Sequence, residues 1–118
     1  MLVLKPSTQP TLDPWGTVAD LGAEILGGAC EIAGAMVLGA PTDALSCGWF
    51  SCTQGQFRMT YPFTEHAIMI DGRVTLHIPA TGLTETYGPG EAWLIEKGTE
   101  VIWTVETPRF IKNYFAVV

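Results

Sequence analysis

Residues 61–78 read YPFTEHAIMIDGRVTLHI and contain two short apolar segments on either side of Asp71 and Gly72. The second segment, 73–78, alternates between polar and apolar side chains, which is typical of a β-strand with one buried face. The first, 66–70, does not alternate and predicts a strand that is covered on both faces. An Asp-Gly pair between two such segments indicates an antiparallel hairpin, so we expect Gly72 to adopt a positive φ in a tight turn.

The rest of the chain shows the same pattern of short strands separated by turn residues. The predicted strands are 29–39, 47–52, 56–61, 66–70, 73–78, 83–87, 91–96, 100–105 and 109–118. Strands at this spacing indicate an all-β sandwich or barrel, and 118 residues predict a single domain. Three prolines make residues 1–16 an extended N-terminal arm, which we expect Trp15 to hold against the body. Residues 17–28 contain three glycines and predict at most one short helical turn.

The charge content excludes several classes of partner. Six Lys and Arg stand against twelve Asp and Glu, for a net charge of −6. Without a basic cluster, the protein is not expected to bind nucleic acid or an anionic membrane, and no apolar run is long enough to span a bilayer. Charged residues make up 15% and hydrophobic residues 47% of the chain. This balance favours a homodimer that covers apolar surface such as segment 29–39.

The cysteines and the N-terminus bear on the compartment. Cys30, Cys47 and Cys52 are odd in number and do not have the spacing of zinc ligands. We expect reduced and mostly buried thiols, as in a cytoplasmic protein. The N-terminus lacks the pattern of a secretory signal, which also favours a cytoplasmic location.

Two stretches carry motifs that resemble a known family. Residues 61–72 hold Tyr-Pro-Phe-Thr-Glu, six further residues and Gly72, and residues 90–98 begin with Gly-Glu and end with Gly. The other matching residues are Trp49, Gly55, Trp103, Glu106, Thr107, Lys112, Asn113 and Tyr114. Segment 45–118 thus resembles the cupin superfamily (RmlC-like), and within it the small single-domain branch similar to the ureidoglycine aminohydrolase cupin domain. The resemblance implies a cupin jelly-roll β-barrel (double-stranded β-helix) over residues 1–118, a pocket in the barrel mouth and a homodimer.

The same resemblance indicates that the usual metal site of the family is missing. Cupins commonly hold a divalent metal with three His and one Glu, and Glu65 falls on the motif glutamate. The remaining ligand positions fall on Arg58 and Thr60 (or, in a second alignment, Met59 and Tyr61) and on Val101. We therefore predict no conventional metal site and no cofactor. By strand parity His66 points away from Glu65, although a turn at Pro62 would leave His66 open as a ligand.

The predicted pocket contains Glu65, Arg58, Lys112, Tyr61, Trp103 and Tyr114. Glu65 is either a ligand-binding carboxylate or a structural one, and a buried carboxylate needs a partner such as Arg58, Lys112 or Tyr61. Arg58 either binds an anionic group of a ligand or pairs with Glu65. Lys112 either faces the pocket or extends to the surface. Tyr61, Trp93, Trp103 and Tyr114 are expected to be core or wall residues, with contact to a ligand as the alternative reading.

The sequence is compatible with three functions. The first is the binding of a small polar or anionic metabolite in the barrel. The second, implied by the resemblance, is a metal-dependent hydrolase or isomerase of a small nitrogenous compound, with ligands such as Glu65, His66 and Tyr61. The third is a non-catalytic, dimeric accessory protein whose apolar surface binds a partner.

Overall fold

Two long antiparallel strands, β4 (Leu45–Thr60) and β9 (Glu100–Val117), pair along their whole length in the computed structural model, which describes residues 1–118. The other strands are β1 (Asp13–Thr17), β2 (Glu24–Gly28), β3 (Glu31–Leu38), β5 (Thr64–Asp71), β6 (Val74–Ile78), β7 (Leu83–Tyr87) and β8 (Ala92–Ile95). Two short 3-10 helices, Pro6–Thr8 and Val18–Leu21, precede β1 and β2, and no helix is long and apolar enough to cross a membrane. The strands form an antiparallel jelly-roll β-barrel, which confirms the predicted fold class.

Each long strand belongs to two sheets because its pairing shifts near the middle. One sheet has the order β1-β3-β4-β9-β5-β8 and uses residues 45–53 and 109–117 of the long strands. The other contains β2, β4, β9, β6 and β7, and uses residues 55–60 and 100–105. The register shifts at Gly55, where a Cβ atom would lie 2.5 Å from a backbone oxygen of β2. The sequence predicted two separate strands on each side of this irregularity, whereas the structure bends one continuous strand.

The turn at Asp71 and Gly72 is a corner and not a hairpin. β5 pairs with residues 111–117 of β9, whereas β6 pairs with residues 102–105, so the two strands lie in different sheets. Gly72 has a φ of 85°, as predicted, and a Cβ there would lie 2.5 Å from the carbonyl oxygen of Arg109. The prediction of a positive φ is confirmed, whereas the prediction of a hairpin is wrong. A glycine in the left-handed conformation is equally suitable where the chain crosses from one sheet to the other.

The register shift also changes which residues face the barrel interior. On β4, even-numbered residues such as Phe50 face inward before the shift and odd-numbered residues such as Phe57 face inward after it. On β9, the inward residues change from odd-numbered ones such as Trp103 to even-numbered ones such as Lys112. The shift therefore decides which side chains line the barrel.

β5 alternates between buried and exposed residues, so the prediction that it is covered on both faces is wrong. Glu65, Ala67 and Met69 are buried, while His66 and Ile68 are exposed. The exposed residues lie on the outer face of the sheet, away from the barrel interior. An apolar residue such as Ile68 on that face is the reason why the sequence pattern was misleading.

The N-terminal segment closes one end of the barrel. β1 pairs with β3, and the Trp15 ring packs on Gly34, where a Cβ atom would collide with it. The 3-10 helix Val18–Leu21 agrees with the predicted single helical turn, and β1 is a short edge strand within the predicted extended arm. Strand β2 was missed because its glycines have low strand propensity. The three cysteines are free and buried, as predicted.

Candidate functional site

The barrel encloses a partly open cavity of about 450 Å³. Part of its lining comes from outside the central strands, namely from N-terminal residues Trp15, Val18 and Leu21, from Pro41 and Thr42, and from Pro62 and Phe63. Most of the wall is apolar, and the lining residues that carry polar atoms on their side chains are Trp15, Thr42, Ser46, Tyr61, Glu65, Trp103, Lys112 and Tyr114. A mainly apolar cavity with a few convergent polar groups is the usual form of a small-molecule site.

Glu65 is a carboxylate inside the barrel, with 2% of its surface exposed. Its Oε1 accepts a hydrogen bond from Lys112 Nζ at 2.7 Å. Its Oε2 accepts hydrogen bonds from the Tyr61 hydroxyl and from Trp93 Nε1, each at 3.1 Å. Both oxygens are therefore satisfied by protein donors, as a buried carboxylate requires. The sequence pointed to Lys112 and Tyr61 as partners, but Trp93 was treated only as a wall residue.

Lys112 holds a buried ammonium group, because its position on β9 faces inward after the register shift and only 5% of the residue is exposed. The Nζ atom lies 5.0 Å from the ring centroids of Phe50 and Trp103, and 5.7 Å from those of Trp93 and Tyr114. Four rings around one cation provide a favourable electrostatic environment. Glu65 accepts the only hydrogen bond that the ammonium donates to the protein, although an ammonium has three donors.

The two tyrosines of the site are neutral phenols at ordinary pH. Burial raises the pKa of Tyr61 well above its usual value, and the negative charge and hydrogen bond of Glu65 raise it further. Burial and then the charge of Glu65 raise the pKa of Tyr114 to about 12. The indole Nε1 of Trp103 is close enough to Tyr61 to lower its pKa slightly, yet it donates no well-formed hydrogen bond to any protein atom.

The placement of Arg58 corrects the predicted site. Its side chain lies on the outer face of β4, 45% exposed, where Nε contacts Glu100 Oε1 at 3.1 Å and an Nη atom contacts Glu24 Oε2 at 3.8 Å. Arg58 therefore neither lines the cavity nor pairs with Glu65. The cause is strand parity, since Phe57 and Met59 on either side of it face the cavity.

The residues around Glu65 do not fit the metal of the cupin motif. Met59 and Tyr61 line the cavity, which selects the second alignment over the one with Arg58. Neither position supplies an imidazole, and His66 is exposed on the opposite face of β5 from Glu65. No group of three or more His, Cys, Asp or Glu side chains converges in the chain. The ammonium of Lys112 instead provides the positive charge next to the motif glutamate.

Family comparison agrees with this barrel. The sequence model of the EutQ-like cupin domain matches residues 39–114, which is more than half of the chain. The chain belongs to this cupin family. A comparison with curated proteins finds no significant match.

Solved structures show the same fold at low sequence identity. The EutQ protein of Clostridium difficile is 20% identical, with a TM-score of 0.63 over 75% of this chain and 69% of that one. A DUF861-family protein of unknown function from Pseudomonas syringae is 18% identical, with a TM-score of 0.78 over 92% of this chain and 45% of that one. The Cnp3 cupin domain of Schizosaccharomyces pombe is 8% identical, with a TM-score of 0.60 over 74% of this chain and 64% of that one. At these identities the likeness concerns the fold alone.

Proposed function

We propose that this cupin binds a small polar metabolite inside its barrel. A polar group of the ligand would contact Lys112 and Trp103, and the rest of the ligand would contact the aromatic walls. The observation that carries the proposal is the ammonium of Lys112, which is buried at the cavity wall with one protein acceptor for its three donors.

Hydrogen-bond donors that lack an acceptor in a buried site favour a ligand that carries an acceptor atom. A polar group that is buried on folding and finds no hydrogen-bond partner in the protein destabilises the folded state by roughly 1–3 kcal/mol. Trp103 Nε1 is such a group, and the Trp103 side chain lines the same cavity as Lys112. An oxygen atom of a ligand, or a water molecule that the ligand displaces, would satisfy these donors. Because Glu65 is already occupied by three protein donors, it would position Lys112 instead of contacting the ligand directly.

Screening of the purified protein against a panel of small metabolites by thermal shift, followed by calorimetry of the hits, tests this function. Replacement of Lys112 by Met should abolish binding of the hits, because it removes the charged donor but retains most of the apolar volume. Arg58→Met is the matched control, since it removes an exposed cation of the outer face. Hits that bind Lys112→Met as tightly as the wild type would refute the proposed site.

The outer face of the β4-β9-β5-β8 sheet carries an apolar patch that favours dimerisation. The exposed apolar residues of this patch are Leu45, Ile68, Leu94, Phe115 and Val117. Their outward-facing partners in register are Thr64, His66, Ala92 and Asn113, and none of these is a carboxylate, lysine or arginine. The outer face of the other sheet carries ion pairs such as Arg58 with Glu100 and Arg73 with Glu106.

We propose that a second copy of the chain covers this uncharged patch, because a self-complementary face needs no opposite charge on its partner. Leu94 is 65% exposed and lies within the patch, whereas Leu83 is 54% exposed on β7 of the other sheet. Light scattering should give a dimer for the wild type and for Leu83→Glu, and a monomer for Leu94→Glu. A monomeric wild type at all concentrations would refute the dimer.

A further inference from the structure

We infer that the barrel selects uncharged ligands that carry an acceptor oxygen on an apolar body, in preference to anions of the same shape. This inference rests on the proposed ligand site and specifies the class of ligand. It follows from the balance of charge inside the barrel and from the arrangement of the rings along its wall.

The charges that face the cavity cancel. Glu65 and Lys112 are the only acidic or basic side chains among the residues that line it, and they contact each other at 2.7 Å. The phenols of Tyr61 and Tyr114 add no charge, because burial and the neighbouring carboxylate raise the pKa of both. Arg58, which the sequence offered as a second cation, lies on the outer face. No cation is therefore left over to neutralise a bound anion.

An anionic ligand at this position would have to share Lys112 with Glu65. Two carboxylates around one ammonium leave a net negative charge in a site that water reaches poorly, where repulsion between like charges is strong. A neutral carbonyl oxygen accepts the same hydrogen bonds from Lys112 and Trp103 without adding charge. The existing ion pair thus opposes the binding of carboxylates but permits the binding of amides or ketones.

The walls specify the apolar part of the ligand. The Phe57 and Trp103 rings stack with centroids 5.6 Å apart and planes at 10°, and Trp103 stacks on Phe110 at 5.4 Å and 19°. All three rings line the cavity. A flat apolar group would pack on these walls with offset-stacked or edge-to-face geometry. The cavity, about 450 Å³ in volume, lies within the range of sites that bind small molecules.

Benzamide and benzoate test this inference, because they share ring and shape but differ by one negative charge at neutral pH. Calorimetry of the wild type should show benzamide binding at least roughly tenfold more tightly than benzoate. In Glu65→Gln the order should reverse, because the ammonium of Lys112 then lacks its carboxylate and becomes available to an anion. A thermal melt of the variant establishes that it is folded, and the wild-type comparison stands even if it is not.

The outcomes separate this inference from the function on which it rests. Tighter binding of benzoate than of benzamide to the wild type would overturn the selection of uncharged ligands but leave a ligand site at Lys112 intact. If neither compound binds, the inference is overturned, whereas the metabolite panel with Lys112→Met still decides the proposed function. If benzamide binds Lys112→Met as tightly as it binds the wild type, the assignment of its oxygen to the ammonium fails.

Discussion

The inside and the outside of the barrel each hold an ion pair, and the two differ in their surroundings more than in their chemistry. Glu65 and Lys112 contact each other at 2.7 Å with side chains 2% and 7% exposed. Arg58 and Glu100 contact each other at 3.1 Å with both side chains 45% exposed. Similar contact distances therefore occur in a buried aromatic site and at the solvent-exposed surface.

Because the inner pair is buried, each of its two partners depends on the other. Burial of a single charge is far more costly than burial of a matched pair, so neither Glu65 nor Lys112 can be lost alone without penalty. On the surface, water and salt take over the role of a missing partner. In the proposed function Lys112 also donates to the ligand, so Lys112→Met should lower both the stability of the protein and its affinity for ligands. Arg58→Met should leave the affinity unchanged, because Arg58 lies on the outer face.

Replacement of Lys112 by Met should produce the largest loss of stability. Glu65 would keep its hydrogen bonds from Tyr61 and Trp93 but lose its counter-charge, and removal of one partner from a buried pair typically costs about 3–5 kcal/mol. Denaturant unfolding of the variant measures this loss. Lys97→Met is the control, because Lys97 is exposed and forms no ion pair. Equal stabilities of the two variants would show that the inner pair is no more important than a surface lysine.

Alkaline pH should reduce the stability of the protein by an intermediate amount, because the buried phenols of Tyr61 and Tyr114 ionise more readily once unfolding exposes them. Burial raises the pKa of Tyr114 from 10.0 to about 12, and burial also raises the pKa of Tyr61 well above 10.0, so the unfolded phenols lose their protons first as the pH rises. Their contribution to stability is complete below pH 10 and declines as the pH rises towards and through 12. Thermal melts across this range, with tyrosinate absorbance of the folded protein, measure it. Ionisation of these phenols near pH 10 in the folded protein would contradict their burial next to Glu65.

Replacement of Arg58 by Met should produce the smallest effect. An exposed pair contributes no more than about 1 kcal/mol, and salt screens it. The free energy of unfolding at low and at high salt gives the size of the effect. A loss as large as that of Lys112→Met would remove the distinction between the two pairs.

The sequence predicted the barrel because its strands alternate and its turns contain Gly, Asp and Pro. It predicted Glu65, Tyr61 and Lys112 in the pocket from the motif and from strand parity, and all three line the cavity. Arg58 was misplaced because two alignments of the motif differ by one residue, and a one-residue slip moves a side chain to the other face of a strand. Only the pairing partners of the strands fix that register.

Other misses have the same physical origin in long-range pairing. The Asp71-Gly72 turn has the local conformation of a hairpin, but β5 and β6 pair with different halves of β9. The contact between Trp93 and Glu65 joins residues that are 28 positions apart, on paired strands whose register only the fold reveals. β2 forms in spite of its glycines because β4 supplies its hydrogen bonds.

A double-mutant cycle measures how strongly Glu65 and Lys112 depend on each other. Unfolding free energies of Glu65→Gln, Lys112→Met and the double variant give the coupling of the inner pair, and Arg58→Met with Glu100→Gln gives that of the outer pair. We predict about 3 kcal/mol for the inner coupling, at the upper end of measured values, and no more than about 0.5 kcal/mol for the outer one. Equal couplings, or an inner coupling near zero, would contradict the claim that Lys112 is the obligatory internal cation of this barrel.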